Sequence, residues 1–365
     1  MREVAVVGAG AGGASAVAEL VAAGHAVRFW GRSPGTLAAF QEQGGVAYEG
    51  VLGSGLARPK LITGDLREAI DAADVVLVCL PTFAHAEIAR ALAHAGARMP
   101  VVLNPGHTGG ALEFRHVFRT LGAELPPIAE FSTLTYVARK YTPGRVTITN
   151  AARSVRLAAL PGGKAALQAA RTLFPANNVM ADVLACDLAN VNMVLHVPGA
   201  VLAAAWVEAT CGDFTFYVAG MTPGVARVIG ALDDERRAVG RAFGHELPSL
   251  LAEMQAIGTL EASLRDTDDL AGAIAAGEAN RRIKAPDSLA HRYYREDFGF
   301  GLLPFIALAS IAGVEVPIAT SLLRIGEALL GPDLVDHGRT AERMGIAGLD
   351  RNGLLNLVGA GDHGG

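Results

Sequence analysis

Two parts of this chain hold residue types whose spacing fits chemistry. The first is VVGAGAGG, Val6 to Gly13, where Gly8, Gly10 and Gly13 stand as G-x-G-x-x-G. An apolar run that reads as a buried strand precedes them, and a helix of small residues opens at Ala11. The first glycine permits a tight turn, the second lets backbone approach a pyrophosphate, and the third lets helix and strand pack closely. Free N–H groups at the helix start complete a cradle for phosphate, so a dinucleotide site is expected here. The next strand, His25 to Arg32, ends in Phe29-Trp30-Gly31-Arg32-Ser33, with no carboxylate to bond a ribose 2′-hydroxyl. Arg32 can pair with a 2′-phosphate and Ser33 can donate to it, so NADP (as NADPH) is expected over NAD. The polar ends of two later strands, at Pro81-Thr82 and at Asn104-Pro105-Gly106, should line the nicotinamide half of the crevice.

The second part is split in sequence. NVNMVLHVPG, Asn190 to Gly199, puts His196 on an apolar helix, one face with Asn192 four residues before it. A lone histidine in such a setting also reads as a satisfied core residue. HRYYREDFGFGLLP, His291 to Pro304, packs Arg292, Arg295, Glu296 and Asp297 just before an apolar segment. That density suits a cleft edge, or equally a helix N-terminus dressed with acids. A carboxylate there could bond an imidazole and fix its tautomer, and an arginine could hold a substrate carboxylate bidentately.

These residues need elements to hold them. Strands at the N-terminus, His25–Arg32, PKLITGD, Asp74–Pro81 and Met99–Gly106 alternate with helices at Ala11–Ala23, Pro34–Gln43, Leu66–Ala72, Ala84–His94 and Ala111–Leu121. The alternation implies an α/β fold with an N-terminal Rossmann-type, doubly wound parallel sheet. IAEFSTLTYVAR, GRVTITN and SVRLAAL are strand-like and could extend that sheet, a helix follows at Gly163–Leu173, and NNVMADVLAC could add one last strand. Beyond it, Asp182–Thr210, Pro223–Gly240, Pro248–Ile257, Ala262–Arg265, Asp268–Ala276, Leu302–Ile311 and Pro317–Leu330 read as helices. The expected division is 1–181 for the nucleotide-binding domain and 182–365 for an all-α domain carrying substrate and catalysis. The tail GAGDHGG is expected to be mobile.

Bulk numbers bound the rest. A chain of 365 residues suits two domains, and 51% hydrophobic with 18% charged residues makes it globular. A net charge of −5 without a basic run argues against nucleic acid as a partner. Cys79, Cys186 and Cys211 have no metal-ligand spacing and read as buried, reduced thiols of a cytoplasmic protein, and no metal is expected. Phe298–Val314 is apolar but short, holds Pro304, and reads as a core helix rather than a membrane span.

Taken together, GAGAGG, LNPGHTGGALEF, AEFSTLTYVAR, NVNMVLHVPG and HRYYREDFGFGLLP resemble the octopine/nopaline (opine) dehydrogenase family along nearly the whole chain. The resemblance implies a Rossmann domain for NAD(P)H and a helical domain with a catalytic His–Asp dyad. Its motifs place that dyad on His196 and Asp297 and a substrate-carboxylate arginine on Arg292. Glu130 to Tyr136, with Thr133, Thr135 and Tyr136, would line the keto-acid side, and Gly8, Gly10, Ala11 and Gly13 the cofactor. Phe298-Gly299 replaces the family's frequent Val-Pro, and Arg295 its frequent Thr, both near the substrate. The implied reaction is reductive condensation of an α-keto acid with an amino acid or amine through an imine, reversibly. A homodimer through the helical domain is expected because dimers are common. Two other readings stand beside it. One is a keto-acid reductase resembling 2-dehydropantoate reductases, which use a lysine where the helical domain here has only Lys284. The other is a non-catalytic NADP-binding sensor.

Overall fold

The computed structural model describes residues 1–261, 263, 269–278, 280–331 and 333–359. It divides into two compact units, the first of Met1–Gly106 and Gly110–Val183, the second of His107–Gly109 and the chain from Leu184 onward. The division differs from a single cut at 181/182 chiefly by one loop, His107–Gly109. That loop is held within the second unit by the buried Arg339, whose Nη1 donates to the Thr108 carbonyl at 2.8 Å.

In the first unit the strands are β1 (Glu3–Val7), β2 (Ala26–Trp30), β3 (Val46–Gly50), β4 (Gly55–Ala57), β5 (Leu61–Thr63), β6 (Val75–Val78), β7 (Val101–Leu103), β8 (Ile128–Phe131), β9 (Tyr136–Thr142), β10 (Arg145–Ala151), β11 (Val155–Ala159) and β12 (Asn177–Val179). The helices are α1 (Ala11–Ala22), α2 (Pro34–Glu42), α3 (Leu66–Ile70), α4 (His85–His94), α5 (Gly110–Thr120) and α6 (Lys164–Leu173). An eight-stranded sheet runs β12-β11-β8-β7-β6-β1-β2-β5, parallel except where β11 meets β8. β6, β7 and β8 are buried at every residue, as strands covered on both faces must be. The order turns back at β1, which lies between β2 and β6, so the glycine loop after β1 falls at the topological switch point.

The strand-like run after Pro127 does not simply extend this sheet. β8 and β11 do, but β9 and β10 turn back on Pro143-Gly144, with Gly144 at φ +73°, and join β3 and β4 in a separate sheet ordered β4-β3-β10-β9. Its strands are half-buried, one face wet, which suits an antiparallel hairpin. The dry face (Val46, Ala57, Tyr136, Ala138, Val146, Ile148) shares one apolar core with α1 and the main sheet.

The second unit is helical: α7 (Val183–Leu188), α8 (Asn192–Leu202), α9 (Ala204–Thr210), α10 (Pro223–Ala242), α11 (Leu250–Ile257), α12 (Leu270–Ala276), a π-helix (Tyr293–Leu302), α13 (Leu303–Ala312) and α14 (Pro317–Leu330), then short α15 (Asp333–Asp336), α16 (Ala341–Met344) and α17 (Arg351–Val358). One long helix was expected over Asp182–Thr210; the chain breaks it at Asn190, whose side-chain oxygen accepts from the Asn192 N–H at 3.1 Å. The expected core helix over Phe298–Val314 is instead the end of the π-helix running into α13. Expected helix at Ala262–Arg265 and the tail from 360 lie outside the described residues. Among the described residues only Val183–Leu202 is long and apolar enough to cross a membrane, and 94% of it is buried inside the protein. Cys79 and Cys186 are buried free thiols, whereas Cys211 is exposed at the left-handed end of α9, unlike the burial expected for all three.

Candidate active site

The nucleotide loop is shaped by what its glycines exclude. A Cβ on Gly8, which sits at φ +126°, would overlap the Cys79 carbonyl, and one on Gly13 would overlap the Gly8 carbonyl. A Cβ on Gly10 would meet nothing within 4 Å. Gly10 is the N-cap of α1, and no side chain caps that end. The turn is therefore tight where backbone must pack and open where a pyrophosphate would lie against helix N–H groups, beginning at Ala11. The dinucleotide fits these residues.

The polar neighbours of the loop differ partly from expectation. Arg32 and Ser33 are exposed at the end of β2, and the Arg32 guanidinium pairs with Glu87 at 2.6 Å. Lys140 on β9, unremarked in the sequence, donates from Nζ to the Ala9 carbonyl at 3.1 Å and lies 4.6 Å above the Phe40 ring. Partial burial holds its pKa below that of a free lysine. Only folding brings this cation from the second sheet to the glycine loop. Pro81 is exposed at the head of a short 3₁₀ turn, Thr82–Ala84.

Asn104 and Thr135, drawn from two separate motifs, clamp each other. The Asn104 Nδ2 donates to Thr135 Oγ1 at 2.9 Å, and the Thr135 N–H returns a bond to Oδ1 at 3.1 Å. Thr133 keeps partial exposure. Tyr136 departs from its expected place on the keto-acid side. Its hydroxyl donates to Glu19 at 2.5 Å and its ring packs edge-on to Phe174, because β9 turns there into the second sheet and points this ring into the core.

In the second unit α8 and the π-helix bring His196 and Asp297 together. The imidazole Nδ1 and Asp297 Oδ2 are 2.7 Å apart, and both side chains are buried. Close approach is built in: a Cβ on Gly301 would stand 2.9 Å from that of Met193, and the Tyr294 hydroxyl donates to the Ala200 carbonyl at 2.9 Å. The Tyr293 ring stacks on the imidazole at 3.9 Å and 13°. At the other nitrogen, Tyr217 Oη stands 2.7 Å from Nε2. With Asp297 ionised and accepting from Nδ1–H, Nε2 carries the lone pair and Tyr217 donates to it.

The π-winding explains Arg292. Its i→i+5 bonds stack residues five apart, whereas an α-helix would set them about 140° apart at 100° per residue. Arg292, the N-cap, thus shares a face with Asp297. Desolvation pulls its pKa down, but Glu296, Tyr293 and Asp297 outweigh it and the guanidinium is held charged. Its side chain keeps an exposed surface, so it can meet a ligand.

His107 is a further member that the sequence reading passed over. It is buried at φ +57°, and its Nδ1 faces Asn190 Nδ2 at 3.3 Å. Because Asn190 Oδ1 is taken by the Asn192 N–H, its amide nitrogen points at His107, which fixes a neutral tautomer with the proton on Nε2. Burial lowers the His107 pKa against the opposing charges of Glu296 and Asp297. Tyr217, Tyr293 and His107 gave no sequence signal because aromatic residues at loop and helix positions read as core.

The family description for the α-helical domain of NAD/NADP octopine/nopaline dehydrogenases matches residues 179–330. That for ketopantoate reductase PanE/ApbA matches residues 4–104. The opine dehydrogenase of Arthrobacter sp. (strain 1C) is 33% identical over 361 residues, covering 98% of this chain and 99% of that one. The octopine dehydrogenase of Mizuhopecten yessoensis is 25% identical, over 78% and 77% of the two chains. Among solved structures, octopine dehydrogenase in complex with NADH and agmatine matches with a TM-score of 0.78 at 21% identity over 100% of both chains. Yersinopine dehydrogenase with NADP+ bound matches with 0.75 at 14% identity, over 95% and 97%. Fold and site together define an NAD(P)-linked oxidoreductase with a Rossmann-type unit and a helical unit. The chain belongs to the opine dehydrogenase family, whose members act on CH–NH bonds.

Proposed function

We propose that this protein reductively condenses an α-keto acid of the pyruvate class with an amino acid or amine, using NADPH. The observation that carries the reading is the buried 2.7 Å pair of His196 and Asp297 with Arg292 on the same face of the π-helix. Arg292 holds the keto-acid carboxylate as a charge-assisted, bidentate partner. His196, oriented by Asp297, moves the protons that amine addition and loss of water require near neutral pH. Thr133 is assigned to the keto-acid side, and Thr135 is held by its two bonds with Asn104. The bound nicotinamide supplies the hydride that reduces the imine. Solved octopine dehydrogenases carry agmatine or arginine on the amine side and pyruvate on the keto-acid side, which supports these two substrate classes.

The preference for NADP rests on the chain at the end of β2, which offers Arg32 and Ser33 and no carboxylate, and on Lys140 at the Ala9 carbonyl. The protein is read as a cytoplasmic homodimer, dimers being the commonest assembly; Leu202, Trp206 and Val218 are exposed apolar residues of the helical unit. A keto-acid reductase is the second reading, favoured only by the match to ketopantoate reductases over residues 4–104.

The test is NADPH oxidation with pyruvate and related keto acids, each with and without a panel of amino acids and amines, and NADH in parallel. Oxidation that needs both partners is expected. Oxidation with keto acid alone makes the protein a hydroxy-acid dehydrogenase, and cofactor binding without turnover makes it a sensor.

A further inference from the structure

His196 has one free way to exchange a proton, and a tyrosine stands on it. Nδ1 is committed to Asp297 and Tyr293 covers a ring face, so Nε2 is the atom left for transfer. Tyr217 Oη is 2.7 Å away, with both residues buried. The tyrosine is not a loosely placed rotamer. Its segment between α9 and α10 is stapled to Ile283–Ala285: the Phe216 N–H donates to the Ile283 carbonyl and the Ala285 N–H to that of Phe214, each at 2.9 Å. A third bond, from the Ala219 N–H to the Thr215 carbonyl at 2.9 Å, closes the turn around Tyr217. Phe216 fills the space above Gly199 of α8, which ties the turn to the helix that carries His196.

We infer that Tyr217 is a proton-relay residue, the last donor and acceptor between His196 and the reacting substrate; this rests on the reaction proposed above. The amine substrate arrives as an ammonium ion. Tyr217 Oη takes one of its protons while passing its own to Nε2, leaving a nucleophilic amine and an imidazolium whose Nδ1–H stays on Asp297. The amine lone pair then forms the C–N bond, and the carbonyl electron pair moves onto oxygen. That oxygen takes the Oη proton as Oη takes the Nε2 proton, and the tyrosine ends as it began. A second round moves a proton from the carbinolamine nitrogen to its hydroxyl, so that water leaves and the protonated imine forms, carrying the charge the ammonium ion brought. No outside acid or base is consumed.

The phenol's surroundings favour concerted transfer. Burial, together with Tyr293 and Asp297 and against the pull of Arg292, holds the Tyr217 pKa well above its ordinary value. A free tyrosinate is therefore not a resting stage, and the two protons move together. Besides His196 at 2.7 Å, these three are the charged or titratable groups that act on the hydroxyl.

The test is Tyr217→Phe, which keeps the ring and removes the hydroxyl. Under single-turnover conditions with NADPH, a keto acid and a productive amine, the rate should fall roughly 100-fold, the lower range for one acid–base group. The keto-acid KM should stay within about threefold. In mixtures of H2O and D2O the wild-type rate should depend on deuterium content with a curve, from two protons in flight, and the variant with a straight line. A rate kept within about threefold, or the same curve in both proteins, overturns the relay and leaves Tyr217 a cap that must swing away. A readout free of substrate separates this from the choice of reaction. In protein labelled with 15N-histidine, the Nε2 resonance of His196 should move toward that of a free lone pair in Tyr217→Phe. No movement overturns the hydrogen bond and the relay with it. Wild-type inactivity with every keto acid and amine refutes the proposed reaction and the relay assigned to it, while the resonance reports separately whether the hydrogen bond is made.

Discussion

His196 has both ring nitrogens engaged, Nδ1 by Asp297 and Nε2 by Tyr217, and that pairing dictates how each substitution should fail. Under the proposed mechanism His196→Ala removes the group that moves protons and should lower kcat by about 10²–10⁴-fold while NADPH still binds. Asp297→Asn keeps the shape but offers an amide donor to Nδ1. The imidazole then carries its proton on Nε2, the tautomer Tyr217 cannot donate to, and kcat should fall to a similar degree. Because both changes disable one unit, the double variant should be hardly worse than either single one. Additive losses in steady-state kinetics would detach Asp297 from the histidine. Arg292 acts differently. Its pKa is raised by Glu296 and Asp297, and its surface is exposed. Arg292→Ala should raise the keto-acid KM roughly 10–100-fold, the worth of a charge-assisted hydrogen bond of about 1.5–3 kcal/mol, and change kcat less. An unchanged KM would remove it from the substrate site.

At the scale of elements, the π-helix and the second sheet decide which of these residues meet. The π-helix ends at Leu302, two residues before Pro304, which has no N–H to give the carbonyl five residues before it. That carbonyl, Gly299, accepts instead from the Arg339 N–H at 2.7 Å. The second sheet rests on α1 through Tyr136 and Glu19, whose side chains are 2.5 Å apart. Desolvation raises the Glu19 pKa, and the tyrosine hydroxyl only partly opposes it. The native state therefore holds this proton longer than the unfolded chain does. The associated stability is fully present below the unfolded value, near 4.5, and is lost as pH rises through the raised native value. Glu19→Gln can still accept from Tyr136 and carries no charge to desolvate. Its Tm should match wild type near pH 4 and exceed it at pH 7. One pKa unit corresponds to about 1.4 kcal/mol, and each kcal/mol to about 2–4 °C in Tm for a domain of this size. A gap of the opposite sign at pH 7 would mean the ionised pair stabilises the sheet. β1, α1 and β2 were legible because apolar runs and glycine spacing report them directly. The pairing of His196 with Asp297 was legible through the motifs that hold them. β3 and β4 were not, since VAYEG and GLA are short, mixed and stabilised only by pairing with β10. The π-turn was not, since its residues also satisfy an α-helical reading.

For the whole molecule, the consequence is a separation of duties between two compact units, one holding the glycine loop and the other the His–Asp pair. Sequence alternation made the first legible and the loss of it marked the second. The loop His107–Gly109 escaped because nothing in HTG says that Arg339, more than 200 residues later, will hold it. This separation can be read in unfolding. A ligand that binds only native protein stabilises by RT ln(1 + [L]/Kd), about 2.7 kcal/mol at a hundred times Kd. Calorimetry with saturating NADPH should raise the transition of the unit that carries Gly8, Gly10 and Gly13. His196→Ala should show the same NADPH-dependent rise as wild type although its turnover is lost. A Gly10→Ser variant should do the reverse: a Cβ there meets nothing in the protein and serine suits the N-cap, so the unliganded Tm should hold, yet the side chain would occupy the open approach and the NADPH shift should shrink. If His196→Ala abolishes the shift, or Gly10→Ser keeps it whole, the cofactor is not held by the glycine loop, and the assignment of one chemistry to each unit fails.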